Sequence, residues 1–189
     1  MLFQCIFSLL CAALSNAYCL LVRLPWWAWP CWAALLTASN FLPLCAAHNL
    51  TARRLRVCRH GVICLRGFLW SLPVDILFHI ALLCSGMGWK PVLFSALVCT
   101  GTEALIFWNG MLCVYCASAQ LGLKRRAIGL LCGLVPISNL IQLVRILRVV
   151  QDEVDFEDAK NRLDAERHDA RICATRYPLL LVHGVFFRD

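Results

Sequence analysis

Four long apolar runs fill most of the first 123 positions, and they constrain the fold more than any other feature of the sequence. They cover residues 1–22, 24–47, 67–89 and 91–123. About 20 apolar residues in succession are enough for a helix to cross the hydrocarbon core of a bilayer. Hydrophobic residues make up 61% of the chain and the mean hydropathy is +0.71, as is typical of membrane proteins. The sequence therefore predicts an all-α integral membrane helical bundle of about four spans.

The first apolar run is predicted to be a retained span and not a cleaved signal peptide. Ser15-Asn16-Ala17 loosely resembles a cleavage site. However, no Lys or Arg precedes Arg23, and the run is longer than the apolar part of a usual signal peptide.

The basic residues of the apolar part are concentrated in alternate loops. Residues 1–150 have a net charge of +10, whereas residues 151–189 have a net charge of −3. Five arginines lie in 48–66 and three more basic residues in 124–126, while each of the other two loops carries one. Cytoplasmic loops carry such an excess of Lys and Arg. The pattern predicts a cytoplasmic 48–66 loop and C-terminus, and it favours the lipid bilayer over nucleic acid as the partner of the basic clusters.

Thirteen cysteines do not indicate a disulfide framework or a metal site. Their number is odd, and most lie in apolar runs, where cysteine behaves as a small buried hydrophobe. Cys113 and Cys116 form a single CxxC pair with no second pair and no histidine ligands nearby. No metal and no other cofactor is predicted.

Residues 127–144 are predicted to form an interfacial or re-entrant helix, with a fifth span as the alternative. Apolar residues recur at helical spacing through 137–147, and the same helix carries the cations Arg145 and Arg148. Pro136 interrupts the segment, and basic residues flank both of its ends. Such an amphipathic helix suits the surface of a membrane.

The chain is thereby divided into a polytopic membrane domain, 1–150, and two further parts. Residues 151–175 are predicted to be a charged, solvated helical linker with i,i+4 ion pairs such as that of Asp158 and Arg162. Residues 176–189 are predicted to begin another domain.

Three ionisable residues interrupt the predicted spans. Asp75 and His79 are four residues apart in the third run, and Glu103 lies in the fourth. A charged group in lipid is costly, so such residues pair with one another or line a wet cavity. The functional interpretation is a proton or ion path, or a site for a polar lipid. The structural interpretation is an interhelical hydrogen bond that holds two spans together.

The C-terminal residues carry a Tyr-Pro turn, an aliphatic run and a His-Gly turn. Residues 177–189 read YPLLLVHGVFFRD, and their aliphatic run is typical of a strand buried on both faces. This segment resembles the opening of the catalytic domain in bacterial lipases of the α/β-hydrolase fold. The resemblance implies a truncated α/β-hydrolase domain of which the first strand is present.

The same resemblance implies a membrane-anchored serine hydrolase that acts on acyl esters of lipids in a bacterial cytoplasmic membrane. In such lipases the turn after the strand supplies half of the oxyanion hole, which here would be His183, Gly184 and Val185. The sequence contains no Gly-x-Ser-x-Gly nucleophile motif, so the chain is expected to be catalytically incomplete. The alternative is a small non-enzymatic integral membrane protein, either a transporter or a scaffold.

Overall fold

Helices make up all the regular structure in residues 2–132 and 136–169, the backbone that the computed structural model describes, with side chains described for 2–129 and 138–167. The helices are α1 (Leu2–Ser15), α2 (Tyr18–Leu21), α3 (Ala28–Ala46), α4 (Arg53–Cys84), α5 (Trp89–Ala117), α6 (Gly122–Cys132) and α7 (Pro136–Asp169).

The helices α1, α3, α4 and α5 lie side by side and alternate in direction, with α4 in contact with the other three. α1 is parallel to α4, since Gln4 near its start contacts Ile63 and Asn16 beyond its end contacts Asp75. α3 is antiparallel to α1, because the start of α3 contacts the end of α1. α5 is antiparallel to α4, since Arg54 at the start of α4 donates to the last carbonyl of α5.

The apolar surfaces of α4 and α5 mostly face outward. Only 17% of the most apolar 18-residue window of α4 is buried, and 33% of the corresponding window of α5. The exposed side chains include Trp70, Leu77, Leu97 and Trp108. A soluble bundle would bury this surface against other elements. Among the described residues, these two helices are long and apolar enough to cross a membrane by length and composition.

Of the four predicted spans, two therefore correspond to helices that are long and apolar enough to cross a membrane. α1 has 14 residues and extends about 21 Å, which is short of the roughly 30 Å hydrocarbon core. The first run is divided after Ser15, where Asn16 donates its side-chain amide to the Ala12 carbonyl. Short polar side chains that bind the backbone in this way compete with helical structure. α3 has 19 residues but lower apolarity, owing to its Trp, Pro, Ser and Asn residues.

The prediction that residues 48–66 form a basic loop is wrong for most of its length. Residues 53–66 form the first turns of α4, which continues as a single helix of 32 residues to Cys84. The reason is tertiary packing, because Leu55 and Cys58 are buried in one cluster with Val150 and Val154 of α7. The charged segment, whose sequence predicts a loop, is thus stabilised as a helix by packing against residues of α7 about 90 positions further along the chain.

The predicted break at Pro136 corresponds to the start of α7, with α6 ending at Cys132. α7 runs through residue 150 without interruption and reaches Asp169 as a helix of 34 residues. The described part of the predicted charged helical linker, 151–169, belongs to α7, but it is not solvated throughout, since Glu153, Val154 and Asp158 are buried.

The predicted first strand of an α/β-hydrolase, 177–189, lies outside the described residues, as do His183, Gly184 and Val185. The described part of the chain holds helices and no strand, whereas an α/β-hydrolase is built around a parallel sheet. A short aliphatic run after a proline does not by itself distinguish a buried strand from other buried segments. The prediction of an α/β-hydrolase fold is corrected accordingly to an all-helical fold.

Candidate functional site

Two carboxyl groups meet between α4 and α5 in the apolar part of the bundle. Asp75 lies on α4 and Glu103 on α5, and both line the same groove between these helices. Asp75 is 5% exposed and Glu103 is 4% exposed, so both are withdrawn from the outer surface of the bundle. Two acidic side chains that meet in apolar surroundings repel each other when both are ionised, and they attract protons or other cations.

The end of α1 supplies one hydrogen-bond donor to each carboxyl group. Ser15 donates its hydroxyl to Oε1 of Glu103 at 2.6 Å, and Asn16 donates its amide to Oδ1 of Asp75. Both donors lie where α1 ends and the chain turns into α2. Ser15 and Asn16 were not among the predicted site residues, although an adjacent polar pair in a 22-residue apolar run is a detectable signal.

His79 lies one helical turn beyond Asp75 and contacts its backbone. Nδ1 of His79 is 2.8 Å from the carbonyl oxygen of Asp75. Because a carbonyl only accepts hydrogen bonds, Nδ1 of His79 donates in this contact. Nε2 of the ring has no hydrogen-bond partner within the described part of the chain, so His79 does not bridge the two carboxyl groups.

Four buried polar atoms at this site have no hydrogen-bond partner among the described residues. Three are oxygen acceptors, namely Oδ1 of Asn16, Oδ2 of Asp75 and Oε2 of Glu103, and the fourth is Nε2 of His79. A buried polar atom without a partner costs about 1–3 kcal/mol, and more if it is charged. A positively charged group with several N–H donors would satisfy these acceptors.

A groove of about 800 Å³ opens onto Asp75, His79 and Glu103. Its outer walls are apolar side chains of α4 and α5, among them Ile76 and Ile80, which are 59% and 51% exposed. Sites for small molecules fall in this size range and combine apolar walls with a few polar groups. Within the part of the chain that the structure describes, no group of three or more His, Cys, Asp or Glu residues is arranged to hold a metal ion.

A second buried polar cluster links α3, α4 and α5. The side-chain amide of Asn109 is 3.2 Å from the carbonyl oxygen of Asn40 and 3.3 Å from Nε2 of His60. His60 is 2% exposed. Hydrogen bonds of this kind hold helices together in membranes. This cluster thus fixes the relative position of α3, α4 and α5 nearer to the start of α4 than the groove.

A third polar cluster joins α7 to the start of α4 and the end of α5. Glu153 is fully buried and accepts hydrogen bonds from Arg54, from the Ser118 hydroxyl and from the backbone N–H groups of Ala119 and Gln120, the last two at 2.9 and 3.3 Å. One turn further along, Asp158 accepts from the backbone N–H and the hydroxyl of Thr51, each at 3.0 Å, and from Arg162. The predicted pair of Asp158 and Arg162 is present at 2.8 Å.

No family model matches this chain, no curated protein is similar to it, and no solved structure resembles it. The similarity of residues 177–189 to bacterial lipases is therefore not supported by any comparison along the whole sequence. Together with the purely helical structure of the described residues, this result overturns the interpretation of the chain as a lipase.

Proposed function

We propose that this chain is an integral membrane protein of the binding or transport class, and that it binds a protonated lipophilic amine in the groove between α4 and α5. The observation that supports this proposal most directly is the group of three buried oxygen acceptors around Asp75 and Glu103 that have no partner among the described residues. A protonated primary amine carries one positive charge and three N–H donors, which is what these acceptors lack.

The placement in a membrane is supported by the outward apolar surface of α4 and α5. That surface surrounds buried polar groups, whereas a soluble bundle has apolar groups inside and polar groups outside. The end of the bundle that carries the arginines of 53–66 and the basic residues 124–126 is proposed to face the cytoplasm. Residues 85–88, which connect α4 to α5, would then face the other side of the membrane.

The choice of an amine with an apolar body rests on the walls of the groove. A small hydrated ion would gain nothing from Ile76, Ile80 and Leu83, which border the groove and are more than half exposed. An amphiphilic amine can place its charged end against Asp75 and Glu103 and its apolar part along these side chains. In a bilayer such a ligand would enter the groove from the lipid.

A second candidate function is that of a scaffold, in which the carboxyl groups only hold α1 against α4 and α5. The donors Ser15 and Asn16 favour it, because each satisfies one oxygen of a carboxyl group. It leaves the opposite oxygens of both groups without a partner.

Binding of decylamine to the full chain in phosphatidylcholine nanodiscs, measured by calorimetry, tests the proposal. Decanol, which has the same tail and no charge, and empty nanodiscs provide the reference. We expect saturable binding of one decylamine that is weakened about 10-fold or more in the double variant Asp75→Asn/Glu103→Gln, since a charge-assisted hydrogen bond contributes about 1.5–3 kcal/mol.

The control variant Asp152→Asn removes an acidic residue from an exposed position on α7 and should bind decylamine as the wild type does. Equal heats for decylamine and decanol in the wild type, with a lower melting temperature in the double variant, would contradict amine binding and support the scaffold.

A further inference from the structure

Three arginines surround a second cavity, which lies between α6 and α7. The cavity has a volume of about 470 Å³, and Arg125 of α6 faces Arg145 and Arg148 of α7 across it. Apolar side chains of both helices complete the lining, including Ile128 and Ile146. The three guanidinium groups thus belong to two different helices and line the same cavity.

Among the residues whose side chains the structure describes, no carboxylate forms an ion pair with these arginines. Within the described residues, three ion pairs form, and they involve Arg54, Arg59 and Arg162. Arg125, Arg145 and Arg148 are all exposed and take part in none of them. Guanidinium groups bind the oxygens of a phosphate in a bidentate manner, so three of them around one cavity favour a phosphate group as the ligand.

The cavity lies at the level where the bundle changes from polar to apolar. The second half of α7 packs against the charged start of α4 through Val150 and Val154. Asn139 near the start of α7 lines the groove beside Phe68 and Leu72, which belong to the apolar part of α4. Arg145 and Arg148 fall between these two levels, and this is where lipid head groups would lie.

Exposed apolar side chains border the cavity. Ile128 is 39% exposed, and Ile141 and Val144 on the neighbouring turns of α7 are 51% and 37% exposed. A free phosphate ion would make no apolar contacts with these side chains, whereas the acyl chains of a phospholipid would cover them. The arginines and the apolar side chains beside them together favour a phospholipid with a negatively charged head group as the ligand of the cavity.

We infer that Arg125, Arg145 and Arg148 form a binding site for the phosphodiester head group of an anionic phospholipid at the end of the bundle proposed to be cytoplasmic. The site is separate from the groove between α4 and α5 and holds whether or not that groove binds an amine. It anchors the hairpin of α6 and α7 at the membrane surface.

The test uses the purified full chain in a neutral detergent and measures binding of dihexanoyl phosphatidylglycerol by calorimetry. Dihexanoyl phosphatidylcholine and inorganic phosphate are the comparison ligands. We expect saturable binding of the anionic lipid that is at least ~10-fold stronger than that of either comparison ligand, and a loss of ~10-fold or more in the triple variant Arg125→Gln/Arg145→Gln/Arg148→Gln.

The control triple variant Arg53→Gln/Lys160→Gln/Arg167→Gln removes the same charge from exposed positions elsewhere and should keep wild-type affinity. Thermal unfolding of each variant establishes that it is folded, and the single variant Arg145→Gln provides a milder change if the triple variant does not fold. Equal losses in the two triple variants would overturn the site in favour of general charge attraction. Equal binding of inorganic phosphate and the anionic lipid would overturn the lipid as its ligand.

Discussion

Glu153 shows at the scale of a single residue how α7 is attached to the bundle. Its carboxylate accepts hydrogen bonds from Arg54 of α4 and from Ser118 and Ala119 in the turn after α5. Burial alone raises the pKa of a carboxyl group. Here the hydroxyl of Ser118, the backbone N–H groups and the Arg54 guanidinium outweigh burial and hold the pKa of Glu153 below its ordinary value of 4.5.

Acid should therefore weaken the attachment of α7. A carboxyl group whose pKa is lowered by folding stabilises the fold fully above its ordinary pKa, and this contribution is lost as the pH falls through the folded-state pKa. We expect the melting temperature of the wild type in detergent to fall more between about pH 5 and pH 3 than that of Glu153→Gln. The variant Asp152→Asn, altered at an exposed neighbour, should behave as the wild type does. The same pH dependence in wild type and Glu153→Gln would contradict this role.

Asp75 should tolerate an amide better than an apolar side chain. Asp75→Asn keeps a side chain that can accept the hydrogen bond from Asn16, whereas Asp75→Leu leaves that donor without its partner in apolar surroundings. The expected cost of Asp75→Leu is about 1–3 kcal/mol more than that of Asp75→Asn. Thermal unfolding in detergent measures the difference. Equal melting temperatures for the two variants would show that this hydrogen bond does not hold α1 in place.

At the scale of elements, the contact of α4 with α5 depends on two glycines. A Cβ atom on Gly61 would lie 2.8 Å from the carbonyl oxygen of Gly110 and 2.8 Å from a methyl group of Val114. Small residues allow helices to approach closely where a membrane provides no hydrophobic drive for their association. The two glycines thus set how closely α4 and α5 pack at this level of the bundle.

The variant Gly61→Ala should separate α4 from α5 and destabilise the bundle. The clash involves a backbone atom that no side-chain rotation can move away, so a loss of about 1–3 kcal/mol is expected. Gly101→Ala on α5 is the matched control, because a Cβ at that position meets nothing within 4 Å. In a helix interior the control should be neutral or stabilising, since Ala has the higher helix propensity. The prediction fails if Gly61→Ala and Gly101→Ala unfold at the same temperature.

The sequence predicted the positions of the helices better than the tertiary contacts between them. Apolar runs and Pro136 correctly indicated α4, α5 and the start of α7, because composition and proline act locally. The charged start of α4 was predicted as a loop, because its helical structure is stabilised by packing against Val150 and Val154, which lie far along the chain. Asp75, His79 and Glu103 could be selected as ionisable residues in apolar runs, but the pairing of Ser15 with Glu103 and of Asn16 with Asp75 is specified only by the tertiary structure.

The largest error concerned residues 177–189. Thirteen residues with a Tyr-Pro turn and a His-Gly turn were interpreted as the start of a lipase domain, and neither the helical structure of the described residues nor any comparison supports that interpretation. A local pattern of this length contains too little information about the sheet, nucleophile and acid that a hydrolase requires.

At the scale of the whole molecule, the described helices form a bundle with an apolar exterior and polar groups in its interior. The groove at Asp75 and Glu103 and the arginine cavity between α6 and α7 lie at different levels of this bundle. If the bundle lies in a membrane, the groove faces the acyl chains and the cavity faces the head groups. Both proposals therefore depend on the same central claim, that α4 and α5 cross a bilayer.

Cysteine labelling on the two sides of the membrane tests this claim most directly. Met87→Cys in the turn between α4 and α5 and Asp164→Cys near the end of α7 are introduced singly into a variant whose native cysteines are replaced by alanine. A membrane-impermeant maleimide is then added to intact cells and to lysed cells. We predict labelling at position 87 in intact cells and at position 164 only after lysis. Labelling of both positions under the same condition would contradict the account, because α4 and α5 would then not cross the membrane.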